Sequence, residues 1–168
     1  MLLLFFSSLQ AQEIKVDYDK NRDFSKYKTF RFGEGEIITP KDQRQTSDEE
    51  IKKWVTTAIT YELESKGLHR VDSAADLIVS YAVGTLARSD MGDVGPMGLT
   101  PGSMDRTYMR DYRQGSFIID LNDRNNFRVW RVNSTSDMTG PSGDRIVEQV
   151  VQKGFKKYPR PAKEKKKK

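Results

Sequence analysis

Residues 47–67 constrain this chain more than any other stretch. Ser47 and Glu50 have the spacing of a capping box, in which the hydroxyl takes the Glu50 amide and the carboxylate reaches back. Asp48, Glu49 and Glu50 then sit at the positive end of a helix dipole. Ile51, Trp54, Val55, Ala58, Ile59, Glu62 and Leu63 fall on one helical face, apolar except for Glu62. Lys66 suits the last turn, and Gly67 supplies a left-handed stop. A helix of about 20 residues is roughly 30 Å long and must lay its apolar stripe on another layer. The flanking segments supply that layer. Before the helix, Tyr27, Thr29 and Arg31 alternate with Lys28, Phe30 and Phe32, and Gly33 and Gly35 are read as the end of the strand. After it, Leu77, Val79, Tyr81 and Val83 form one face, and Ile78 and Ala82 make the other partly apolar, as in a central strand. Strand, long helix, strand is a crossover pattern, right-handed where the strands are parallel.

The rest of the chain fits round that unit. Ile14, Val16 and Tyr18 alternate with polar residues as a strand, and residues 19–23 form a polar turn. A long strand is expected over 108–121. Asn122, Asp123, Arg124, Asn125 and Asn126 then form a turn, and residues 127–132 return as the second arm of a hairpin. Ile146, Val147, Val150, Val151 and Phe155 recur at helical spacing, closed by Tyr158 and Pro159. The expectation is a single α+β domain over 12–160, an antiparallel or mixed sheet of about five strands with two helices packed on one face. Gly84, Gly92, Gly95, Pro96, Gly98, Pro101 and Gly102 predict a mobile loop over 84–106.

The N-terminus bears on compartment. Leu2, Leu3, Leu4, Phe5 and Phe6 are an unbroken apolar run, followed by Ser7, Ser8 and then Ala11 before a polar chain. That is the layout of a signal peptide over 1–11, without the basic residues that usually open one. The run is too short to span a bilayer, and no transmembrane span is expected elsewhere. The absence of cysteine excludes disulfides, thiolate metal sites, cysteine nucleophiles and an acylated anchor. Of the formal +5 charge, +4 comes from Lys163, Lys165, Lys166, Lys167 and Lys168 less Glu164. Residues 161–168 therefore read as a disordered, solvated tail, with a weak grip on anionic lipid headgroups as the sharper option. Nucleic acid is not an expected partner of an exported chain.

Few residues could carry chemistry. His69 is the only histidine, so any Ser-His arrangement would depend on it, and zinc would lack its usual ligands. Neither a metal nor a cofactor is expected. Asp90, Asp93, Asp105, Asp111, Asp120 and Asp123 have no spacing that implies an acid pair across a sugar. The candidate binding residues are Arg106, Tyr108, Arg110, Tyr112 and Arg113, because arginine interleaved with aromatics can stack on sugars and hold anions. The same pattern also describes an edge strand whose charges discourage pairing.

Several segments together carry a family resemblance. They are Asp23-Phe24-Ser25-Lys26-Tyr27-Lys28-Thr29-Phe30, Lys66-Gly67, Ala75-Asp76-Leu77-Ile78-Val79-Ser80-Tyr81, Gln114-Gly115-Ser116-Phe117-Ile118-Ile119-Asp120-Leu121, Val129-Trp130-Arg131, and Phe155-Lys156-Lys157-Tyr158-Pro159. In order and spacing, over 14–159, the chain resembles the bacterial family known as domain of unknown function 4136. That resemblance implies an exported envelope protein of a Gram-negative bacterium, often lipid-anchored, with no catalytic residues to carry over. This chain departs from lipoprotein members in lacking cysteine and in its lysine tail. The resulting expectation is a non-catalytic binding or scaffolding module of the periplasm or cell envelope, soluble or peripherally associated. Its partner would be an envelope protein, a glycan or an anionic lipid headgroup. The alternative is a hydrolase of envelope polymers using Asp90, Asp93, Asp105 and Asp111 as acid and base.

Overall fold

Helix α1 (Asp48–Ser65) forms where its capping box and stripe require it. The Glu50 amide donates to Ser47 Oγ at 3.2 Å, and the Ser47 hydroxyl donates to Glu50 Oε2 at 3.3 Å. At the other end Gly67, at φ 86°, lets the amides of Gly67 and Leu68 reach the carbonyls of Glu64 and Leu63, a Schellman closure. Val55, Ile59 and Leu63 are fully buried, with Ile51, Trp54 and Ala58 packed beside them. The computed structural model describes residues 13–91, 109–137 and 142–159. The expected signal peptide over 1–11 and the lysine tail over 161–168 lie outside the described residues.

Under the helix lies a six-stranded mixed sheet in the order β1-β6-β5-β4-β2-β3. Its strands are β1 (Glu13–Tyr18), β2 (Thr29–Ile37), β3 (His69–Arg70), β4 (Leu77–Met91), β5 (Met109–Asp123) and β6 (Arg128–Asp137). β2 runs parallel to both β3 and β4, and the other pairs are antiparallel. The strand beyond the expected five is β3, two residues held by His69 N–H to Lys28 O at 2.8 Å and Val71 N–H to Phe30 O at 2.9 Å. It is too short to show alternation in sequence. β1 crosses to the far edge and pairs with β6, Val16 opposite Val132 and Tyr18 opposite Trp130.

Helix α2 (Gly143–Phe155) packs beside α1 and over β6 and β1. Ile146, Val147, Val150, Val151 and Phe155 are all buried, as their spacing predicts. The sheet meets both helices with one face, carrying Phe30, Leu77, Val79, Ile119, Leu121, Trp130 and Val132. The α+β class with two helices on one face is thus as expected.

Two glycine readings require correction. Gly33 and Gly35 do not end β2, which continues to Ile37 through an irregularity between Phe32 and Gly35. A Cβ on Gly35 would stand 2.3 Å from Tyr81 Cζ, so this glycine clears the Tyr81 ring. The loop expected from residue 84 is likewise strand as far as Met91. A Cβ on Gly84 would lie 2.2 Å from Ile38 Cγ1, so its smallness admits Ile38 against the sheet. Residues 92–106 of that expected loop lie outside the described residues.

Beyond Gly84 the sheet narrows. β2 last pairs at Ile37–Val83, and β6 last pairs at Gln114–Asp137. Among the described residues, 87–91 and 109–113 therefore pair only with each other, as a two-stranded ribbon running past the rest of the sheet.

Candidate functional site

The ribbon takes in part of the candidate binding cluster. Its register sets Arg110 opposite Asp90, Tyr112 opposite Arg88 and Arg113 opposite Ala87. Arg106 and Tyr108 lie outside the described residues. Asp90 and Asp111, expected as loop acids, fall on paired strands, Asp111 opposite Ser89. Asp93 and Asp105 lie outside the described residues. Asp120 binds the Arg131 guanidinium through both oxygens, with Arg131 Nε at 2.6 Å. That bond holds the Arg131 pKa above its ordinary value. His69 is exposed in β3. Among the described residues, no three of His, Cys, Asp and Glu stand close enough to share a metal ion.

The described residues form several concavities. One, about 530 Å³, is a groove along the outer faces of α1 and α2, lined in part by Lys53, Trp54, Tyr61, Glu62, Asp144 and Glu148. Tyr61 stands 72% exposed on its rim. A second hollow, about 240 Å³, lies at the start of α1 and α2 and includes Arg44. Arg44 is committed to the fold: Nε donates to Thr39 O at 2.7 Å, Nη2 to Ile37 O at 3.1 Å, and Nη1 to Asp48.

The third is a polar pocket of about 260 Å³ just past the C-terminal end of α1. Arg22 Nη1 donates to Tyr27 Oη at 3.0 Å and to Asp123 Oδ2 at 2.9 Å. These bonds, that to Tyr27 foremost, raise the Arg22 pKa against the cost of desolvation. Asp123 also organises the hairpin turn, accepting from the amides of Asn125 at 2.9 Å and Phe127 at 3.0 Å. Asp23 caps a 3₁₀ turn (Phe24–Lys26), taking the Ser25 hydroxyl at 2.6 Å and the Ser25 amide at 3.0 Å. Those bonds hold its carboxyl below the usual range.

Lys66 lines this pocket and is 6% exposed as a whole residue. One polar group there is buried without a partner among the described residues. Tyr158 is 3% exposed, and its phenol oxygen has no hydrogen-bond partner. Burial pushes the Tyr158 phenol well above its ordinary pKa, so it stays protonated. Sequence reasoning missed this grouping because Arg22 and Tyr27, Lys66, and Tyr158 come from three separate places in the chain. The available signal was the set of short segments that carry the family resemblance, three of which meet here.

Residues 14–160 match the family described as Domain of unknown function (DUF4136). The chain belongs to that family. No curated protein matches this DUF4136 protein in sequence. Solved structures match it in fold. A PDZ domain protein from Parabacteroides distasonis is 15% identical with a TM-score of 0.60, over 87% of this chain and 35% of that one. The DUF4136 chain thus spans about a third of the length of that protein. A PelC dodecamer from Paraburkholderia phytofirmans is 13% identical with a TM-score of 0.52, over 86% of this chain and 95% of that one. A DUF4136 family protein from Bacteroides thetaiotaomicron is 15% identical with a TM-score of 0.51, over 86% and 94%. Likeness at these identities is likeness of fold. Among the described residues no helix of this DUF4136 protein is long and apolar enough to cross a membrane.

Proposed function

We propose that this DUF4136 protein is an exported protein of the periplasm or cell envelope that works by contact, as a binding or scaffolding module. The observation that carries this reading is the ribbon of residues 87–91 and 109–113, whose backbone pairs with no third strand among the described residues. A two-stranded ribbon is marginally stable alone in water. A chain that extends one beyond its core gains most from it when something covers it. The ribbon holds Arg110, Tyr112 and Arg113, residue types suited to an envelope protein, a glycan or an anionic headgroup. The PelC structures of the same fold are dodecamers, and contact between copies is one form such scaffolding takes.

Two measurements test the reading. Fractionation with N-terminal sequencing should find the mature chain in the envelope, starting near Gln12. A chain retained in the cytosol with its initiator methionine would refute export. Replacing residues 88–111 by a two-residue Asn-Gly turn should leave the circular dichroism spectrum of a folded α+β domain. It should also abolish the cross-links that a photoreactive residue at position 112 forms in cells. Should the full-length chain with that residue form no cross-link, the contact role fails.

A further inference from the structure

We propose that the groove between the outer faces of α1 and α2 is a docking site for a basic amphipathic segment of another protein, seated as a short helix. Its floor is apolar: Trp54 and Ala58, one helical turn apart on α1, both line it half-buried. Gly143 makes room for the Trp54 ring at the start of α2, since a Cβ there would lie 3.1 Å from Trp54 Cζ3. Thr57 and Ala58 are short side chains and leave the trough open, with a volume of about 530 Å³. Tyr61 forms the rim. It is the most exposed large apolar side chain among the described residues, and its ring meets no other aromatic ring there.

Charge decides the kind of occupant. Glu62, the one charged residue on the apolar face of α1, lines the groove half-buried, and Glu148 lines it from α2. Neither forms an ion pair with another described residue. Asp144 is already engaged, its carboxyl held below the usual range by the Ser142 hydroxyl and the Arg145 amide. Lys53 is the one cation among the described residues that line the trough. An anionic wall over an apolar floor matches cationic side chains flanking an apolar stripe. A lysine or arginine seated there also comes within reach of the Trp54 and Tyr61 ring faces. The groove follows residues 53–62 of α1 and 144–152 of α2, roughly 13 Å at the helical rise, or about two and a half turns of a third helix. The ends of this chain's own sequence match it less well. Residues 1–11 carry apolar side chains and no Lys or Arg, and residues 161–168 carry lysines but nothing larger than Pro161 to fill the floor.

The test uses the full chain and a fluorescein-labelled peptide with leucine and lysine at helical spacing, about 14 residues or four turns long. Its anisotropy should rise saturably with protein. With unlabelled peptide, the Trp54 share of the tryptophan emission should move to the blue as the floor is covered. The same peptide with glutamate in place of lysine should not bind. Glu62→Gln combined with Glu148→Gln should weaken binding about tenfold, and Tyr61→Ala about fivefold. These side chains are exposed or half-buried, so both variants should melt close to the wild-type temperature. Glu34→Gln combined with Glu36→Gln removes the same charge from exposed positions of β2 and should leave affinity unchanged. Removing residues 161–168 should leave it unchanged too. Equal binding of the glutamate peptide, wild-type affinity in both groove variants, or an equal loss in the β2 variant would overturn the site. A gain of about tenfold on removing residues 161–168 would overturn it in favour of the chain's own tail. Self-association abolished by the groove variants would overturn it in favour of a second copy. The ribbon plays no part in this groove, so either proposal can fail alone.

Discussion

Thr29 and Asp76 are bonded twice: the Thr29 hydroxyl donates to Asp76 Oδ2 at 3.0 Å and accepts the Asp76 amide at 2.9 Å. The same carboxylate oxygen takes the amides of Lys28 at 2.9 Å and Thr29 at 3.0 Å. Its other oxygen takes Arg124 Nη2 at 2.7 Å. One aspartate therefore ties the start of β2, the start of β4 and the β5–β6 turn. The crossover of β2, α1 and β4 is closed at this point.

Asp76→Ala should destabilise the domain by about 2–3 kcal/mol, the scale for hydrogen bonds to a charged group, measured by urea unfolding. Burial works against ionisation of Asp76, and the bonds from Lys28, Thr29 and Arg124 outweigh it, leaving its pKa below the ordinary 3.8. A carboxyl with a lower pKa when folded binds fewer protons in the folded state. Its stabilisation is complete above the unfolded value of 3.8 and fades as pH falls through the lower folded value. The acid limb of the wild-type stability curve should therefore be steeper than that of Asp76→Ala.

Gly154 allows α2 to approach β6. A Cβ there would lie 2.6 Å from Val132 Cγ1 and 2.7 Å from Cγ2. Gly154→Ala should gain about 1 kcal/mol of helix propensity and lose about 1–3 kcal/mol to overpacking. The net change should be a lower melting temperature. Combining it with Val132→Ala should be less harmful than the sum of the two changes, because the second opens the space that the first requires. Strict additivity would show that the contact does not limit the approach.

The elements that can be read from sequence are those whose cause is local. The capping box at Ser47 and Glu50, the stop at Gly67, the α2 spacing and the 122–126 turn each depend on neighbours within a few residues, and each forms. The errors come from distant partners. Gly35 and Gly84 resemble breakers until Tyr81 and Ile38 are known to fill the space beside them. β1 alternates correctly in sequence, yet its place against β6 depends on stacking of Tyr18 on Trp130, which no local pattern encodes. The polar pocket is hidden for the same reason. Lys66 reads as an ordinary last-turn lysine, and only burial distinguishes it.

Gly67 offers a cleaner test of local logic. At φ 86° a side chain is strained, and asparagine tolerates that region better than alanine. Gly67→Ala should lower stability by about 1 kcal/mol and Gly67→Asn by less, measured by thermal unfolding. Equal effects would mean that the Schellman closure tolerates a change of backbone at this turn.

Trp130 is the centre of the domain, fully buried on β6. Tyr18 stacks on it at 4.4 Å, Phe24 and Tyr158 meet it edge-on at 5.7 and 5.2 Å, and Phe155 lies parallel at 6.3 Å. These rings come from β1, the 3₁₀ turn and the region of the α2 C-terminus. Trp130→Ala should cost about 3–5 kcal/mol, enough to unfold a marginal domain. Trp130→Phe keeps a ring and removes an indole N–H that has no acceptor among the described residues, so part of the lost packing should be offset. Its cost should fall well below that of alanine, and the chain should still fold. Fluorescence provides a second readout, since Trp54 is the only other tryptophan and is partly exposed. Trp130→Phe should remove the blue-shifted part of the emission and leave a redder Trp54 signal. Unchanged emission would mean that Trp130 is not in a dry core, and the account of how β1 and α2 are held would fail with it.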